Sequence, residues 1–283
     1  MPTQSTSTSS VLRASWLALP LVVVLGLVLV WPLLTLAVQS FTTETSAFTL
    51  ERYADVLTSR RYLGSLAVTA VLASVSTLLA LLICVPAGLY ISADKSVLGK
   101  LLAIALSIPM SLPGIVIGFF VILLIGNTGV VPMLFETTTG QRHLQLAYTW
   151  TGLTLGYLYF QIPRVVLVVR GAADGVGSEI VASARTLGAN TTTIYRSVIL
   201  PALRPAIASA SVLAFATAFG AYGTAATLAR GQRVMPLEIA AAFTDNFQPG
   251  TAATLSLILA TITTSVLVGI NAWGNKKVVS SRP

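Results

Sequence analysis

The sequence predicts an all-α membrane protein: six transmembrane helices, with a polar helical hairpin between the fourth and the fifth. Three observations carry that fold class. Only 9% of the 283 residues are charged while 55% are hydrophobic, with a mean hydropathy of +0.85, whereas soluble domains hold roughly 25% charged residues. The apolar residues fall in runs of about the 20 that cross a bilayer. Those runs also lack the alternation of a membrane barrel, and in lipid only a helix or a closed barrel satisfies its own backbone.

The polar start "MPTQSTSTSS" predicts a disordered segment over residues 1–15. The first span, 16–38, reads "WLALPLVVVLGLVLVWPLLTLAV". It exceeds the 7–15 apolar residues of a signal peptide and is read as a retained span. The others are 62–92, 101–126, 148–169, 204–229 and 252–274, so the bundle covers 16–274 and a tail covers 275–283. Several spans carry helix breakers. Pro86 lies in the second, Pro109, Pro113 and Gly114 in the third, and Pro163 in the fourth. A proline removes a backbone donor and bends a helix, so "SIPMSLPGIVIG" is either a packing kink or gives a hinge or a widened cavity. In the fourth span Tyr148 and Trp150 read as membrane-interface aromatics. Tyr157, Tyr159, Phe160 and Gln161, with Pro113 of the third span, are the candidate path residues. Arg164 either attracts an anion or reaches for the interface. The fifth span, "AIASASVLAFATAFGAYGTAATLA", is rich in small residues that let backbones approach closely, which places it centrally.

Topology follows from the basic residues. With the N-terminus inside, ten (Arg13, Lys95, Lys100, Arg170, Arg185, Arg196, Arg204, Lys276, Lys277 and Arg282) lie on that side. Six (Arg52, Arg60, Arg61, Arg142, Arg230 and Arg233) lie outside, and Arg164 is within a span. The bias predicts both termini in the cytoplasm. The connections 39–61, 127–147 and 230–251 then face outward, and 171–203 is the longest inward one.

The net charge of +8 is scattered over short connections, without a basic tract interleaved with aromatics, so nucleic acid is not the partner. Cys84 and His143 stand alone as residue types and promise neither a disulfide nor a metal site. No GxxxxGK[ST] loop occurs, so ATP chemistry is not expected on this chain. Strong internal repeats and membrane-buried acids, the usual marks of a secondary transporter, are missing from the sequence as well.

The inward connection holds "ASARTLGANTTTIYRSVILP", Ala182 to Pro201. Ile180, Val181, Ala184 and Leu187 keep a helical period, with Glu179, Ala182, Ser183 and Thr186 opposite them. Ser178 is the expected N-cap and Gly188 the expected stop at positive φ. Asn190 then caps a second helix in which Ile194 and Val198 lie one turn apart, and Pro201 marks the turn into the fifth span. Two roles fit: a hairpin lying on lipid headgroups through Arg185 and Arg196, or a peg held out for a partner's groove.

This segment resembles the cytoplasmic loop of bacterial binding-protein-dependent ABC importer permeases of the MetI-like group. That loop carries Glu-Ala-Ala, three residues, Gly, nine residues, Ile, one residue and Leu-Pro. Here Ala182, Ser183 and Ala184 stand at the Glu-Ala-Ala positions, Gly188 follows at the family spacing, and Leu200-Pro201 closes the motif. Glu179 lies one turn before the missing glutamate. Six spans, a proline-rich third span and a length near 280 agree with that family. The resemblance implies a coupling helix, with Glu179, Ala182, Ser183, Ala184, Arg185, Gly188, Leu200 and Pro201 contacting a separate ATPase dimer that holds ATP and Mg²⁺. It further implies a second permease subunit, an extracytoplasmic substrate-binding protein, and residence in the bacterial inner membrane. The "LGA" at Leu187–Ala189 is similar to polyamine, phosphonate, ferric iron, sulfate and thiamine permeases. Among these the expectation is a polyamine, although no Asp or Glu lies deep in any span.

Overall fold

A computed structural model describes residues 20–43, 47–94, 96–140 and 146–279. The expected disordered segment 1–15, the first residues of the first span, Lys95, Arg142, His143 and the end of the tail at 280–283 lie outside the described residues. Among the described residues every regular element is a helix, apart from one isolated bridge between Thr42 and Phe48. The six crossings form as helices α1 (Pro20–Phe41), α3 (Arg60–Ala93), α5 with α6 (Gly114–Ile125 and Val130–Thr139), α7 (Trp150–Asp174), α9 (Thr191–Phe219) and α12 (Pro249–Val279). Shorter helices α2 (Glu51–Thr58), α4 (Val97–Ala105), α8 (Ser178–Thr186), α10 (Tyr222–Leu228) and α11 (Met235–Thr244) fill the connections.

The centre of the bundle is α3 against α7, with α9 across both. Helix α3 buries Ser65, Thr69, Ala73, Ser76, Ala80, Cys84, Gly88 and Ile91, a stripe repeating every three or four residues. Lipid chains are as apolar as leucine, so such helices gain little from hydrophobicity and instead from close contact and interhelical hydrogen bonds. A Cβ at Gly88 would come within 3.0 Å of the Val166 carbonyl on α7, which measures how near the backbones run. Gln161 Nε2 donates to Ser76 Oγ at 3.0 Å across the same seam, a bond worth about 0.6 kcal/mol, and up to ~1.7, in a membrane bundle. Helix α1 packs on α12 at the rim and buries almost nothing else.

Two expected helices are broken. The span drawn at 101–126 divides into α4, a 3₁₀ turn at Pro109–Ser111, and α5, which starts after extended Leu112 and Pro113. The span drawn at 204–229 divides at Gly220–Ala221 into α9 and α10. The α5 and α10 segments then pack together, with Thr224 Oγ1 donating to the Gly114 carbonyl at 3.1 Å. Near α11 the bundle is stapled by Arg61, whose Nη2 and Nε lie 2.7 and 2.8 Å from Glu238 Oε2. Thr69 Oγ1 accepts from Met235 N at 2.8 Å in the same place.

Candidate functional site

Two features stand out from this framework: a cavity where the broken helices meet, and the hairpin between α7 and α9.

The cavity measures about 260 Å³ and is bordered by Leu112, Gly114, Phe160, Arg164, Thr217 and Thr224, together with the backbone at Gly220–Gly223. That is far above the roughly 10–15 Å³ that admits one water. Both helix breaks contribute. Pro113 fixes the extended residue from which α5 restarts, so "SIPMSLPGIVIG" is a break in the helix that borders the cavity. Close packing of α5 on α10 depends on small residues, since a Cβ at Gly118 would fall 2.7 Å from Thr227 Cβ and nearer still to its hydroxyl.

Arg164 is the charged residue of the cavity wall, and the wall holds no acid. It lies 14 residues after Trp150 and 10 before Asp174, about 21 and 15 Å from the two ends of α7 at 1.5 Å per residue. Its Nη1 donates to Thr217 Oγ1 at 2.9 Å. The Thr217 hydroxyl in turn donates to the Leu213 carbonyl at 2.6 Å, which leaves its oxygen facing the guanidinium. Among the described residues Arg164 makes no ion pair.

The structure sorts the candidate path residues. Phe160 and Arg164 line the cavity, and Pro113 sits between its lining residues Leu112 and Gly114. Tyr157 is buried in the core and bonds the Ala221 carbonyl at 3.3 Å, so it supports the second break from behind. Gln161 is 0% exposed and faces α3 instead. Tyr159 is half-buried against the core. Thr217, Gly220, Gly223 and Thr224 were missed as site residues. The signal for the last three lay in "AFGAYGTAATL", whose glycines read as close packing and also end one helix and begin another, while Thr217 lies just before it.

The hairpin forms with small changes. Helix α8 spans Ser178–Thr186 with Gly177 as N-cap, so Ser178 opens the helix rather than capping it. Gly188 has φ +81. Its N–H bonds the Arg185 carbonyl at 2.9 Å, and Ala189 N bonds the Ala184 carbonyl at 3.1 Å, the paired closure that a left-handed glycine allows. Asn190 Oδ1 accepts from Thr193 N at 2.8 Å and caps the next helix as expected. Pro201 does not mark a turn. The second hairpin helix runs straight into the fifth span as α9, through a π turn at Tyr195–Ile199. That wider turn accommodates a proline near position 200, whose ring would otherwise meet the carbonyl four residues back.

Glu179, Ala182, Ser183, Arg185 and Gly188 are exposed, and Ala184 is half-buried. Val181 faces inward, beside Tyr195 and Ile199. Ile180 and Leu187 of the same apolar stripe are 56% and 87% exposed. The base of the hairpin is tied down where Ser92 Oγ donates to Asp174 Oδ1 at 2.6 Å, with Arg170 Nε 3.7 Å from the other carboxylate oxygen. Leu200 and Pro201, just after the π turn of α9, are half-buried.

The sequence profile of the family described as "Binding-protein-dependent transport system inner membrane component" matches residues 84–272. The molybdenum transport system permease protein ModB of Mycobacterium tuberculosis is 31% identical over 205 residues, 71% of this chain and 75% of its own length. The sulfate transport system permease protein CysT of Salmonella typhimurium is 26% identical over 243 residues, 83% of this chain and 85% of its own. Among solved structures, a chain of a bacterial ABC transporter that imports the acidic polysaccharide alginate superposes with a TM-score of 0.78 at 15% identity, covering 94% of this chain and 98% of that one.

Proposed function

Because the chain belongs to the binding-protein-dependent inner-membrane components, the permease subunits of ABC importers, we propose that it forms half of the path for a tetrahedral oxyanion of the molybdate and sulfate class. The observation that carries the substrate class is Arg164, a mid-helix cation on a cavity wall without an acid. An intramembrane charge is costly and is kept where it serves transport, and its sign suits a dianion. A polyamine, the expectation from the sequence, would need carboxylates there; relatives named for molybdenum and sulfate support the replacement.

In this reading the hairpin from Gly177 to Asn190 is a coupling peg on the cytoplasmic side, and both termini are cytoplasmic. A separate ATPase dimer carries ATP and Mg²⁺. A second permease subunit completes the path, and a binding protein delivers the anion from outside. ATPase closure would move the peg as a rigid body, and the Gly188 turn and Asn190 cap keep it from melting.

The test is to purify the chain with its co-expressed neighbours, ask whether an ATPase comes with it, and melt the binding protein with molybdate, sulfate or spermidine. Stabilisation by an oxyanion, together with ATPase stimulation by the loaded binding protein, is expected. Stabilisation by spermidine alone would remove the oxyanion class, and absence of any ATPase would remove the coupling assignment.

A further inference from the structure

We propose that the cavity between the two helix breaks is an oxyanion waypoint inside the membrane, with Arg164 as its selecting residue and Thr217 as the group that aims it. The inference rests on the oxyanion reading above and adds to it a site on this chain, distinct from whatever the binding protein recognises.

The argument starts from cost. An arginine near the centre of a transmembrane helix carries a penalty of about 2.5–3.5 kcal/mol on insertion scales, and it is usually offset by an acid or by reaching the interface. No acid offsets it here: among the described residues no carboxylate pairs with Arg164, and the side chain does not extend toward the cytoplasmic interface, although Arg170 lies only six residues, about 9 Å, further along α7. The side chain instead turns across to α9, where Thr217 Oγ1 takes one N–H at 2.9 Å. Thr217 donates its own proton to Leu213. Its oxygen is therefore locked as an acceptor, and one edge of the guanidinium is fixed while other donors remain for a ligand.

The walls fit that ligand. Phe160 and Leu112 supply apolar surface that strengthens a charge-assisted bond by lowering the local dielectric. The volume near 260 Å³ accepts a small tetrahedral anion with several of its waters, so the ion is sorted by charge and size without full dehydration. A single cation also suits a passage better than a closed cage would, since an ion held by many donors would not leave.

The experiment uses the complete complex with its ATPase and binding protein in proteoliposomes, and measures molybdate and sulfate uptake beside ATPase activity. Arg164→Gln is expected to lower oxyanion uptake at least tenfold while ATPase stimulation by the binding protein persists, and Arg164→Lys to keep part of the uptake. Uptake by Arg164→Gln within twofold of wild type would overturn the proposal and leave the oxyanion reading intact. If wild type carries neither anion, both fall together. Should Arg164→Gln fail to assemble, Thr217→Val decides: it keeps the charge but frees its direction, so KM for uptake rises severalfold, and an unchanged KM overturns the waypoint.

Discussion

At the scale of single residues, the coupling role proposed above would rest on little side-chain chemistry. Ala182 replaces the family glutamate, and Ser183 and Thr186 spend their hydroxyls on carbonyls of their own helix, those of Glu179 and Ala182. What projects is the shape of the turn and the apolar tip at Leu187. Gly188→Val places a β-branched residue at φ +81, a strain of about 2 kcal/mol. Leu187→Asp leaves the backbone alone and puts a charge on the tip. Both variants are expected to reach the membrane in normal amounts and to lose co-purified ATPase, which a pull-down on a tagged chain measures; ATPase retained in both would move docking away from this turn. The glycine was legible in the sequence because only a stop at positive φ explains its place between two capped helices. The exposed leucine was not, since periodicity says which residues share a face and never whether a neighbour covers that face.

At the scale of elements, the helix breaks matter most. Hydropathy drew the third and fifth crossings as continuous runs because Leu112 and Ala221 are as apolar as their neighbours. Proline and glycine marked where a break could come, but a break survives in lipid only where the freed backbone finds partners. Thr224 supplies one by bonding the Gly114 carbonyl. The contact of α5 on α10 is correspondingly tight. Gly118→Ala is expected to destabilise the detergent-solubilised chain by about 1–3 kcal/mol through overpacking, read as a lower midpoint of thermal aggregation. Adding Thr227→Gly should recover part of that loss by removing every atom that the new Cβ meets. No recovery in the double variant would mean that the two helices do not touch there.

At the scale of the whole molecule, the arrangement agrees with alternating crossings. Ser92 meets Asp174 at one end, and Arg61 meets Glu238 at the other. Arg230, at the start of one outward connection, stacks over the ring of Tyr148 at the start of the fourth span, 4.6 Å from its centroid. The orientation is measurable. With the buried Cys84 replaced by alanine, Leu187→Cys and Phe247→Cys, at 87% and 83% exposed positions, should react with an impermeant maleimide from opposite faces of membranes stripped of the ATPase. Leu187→Cys should react from the cytoplasmic one, and labelling of both from one face would refute the topology. By itself the sequence determined the class of solvent, the number of crossings and the hairpin with its glycine, because hydropathy, caps and positive φ are properties of neighbouring residues. Only the tertiary structure decided that Gln161 turns to α3 while Arg164 faces the cavity, three residues later on the same helix. A helix puts every residue on some face, and what stands opposite each face is set by packing between segments distant in the chain.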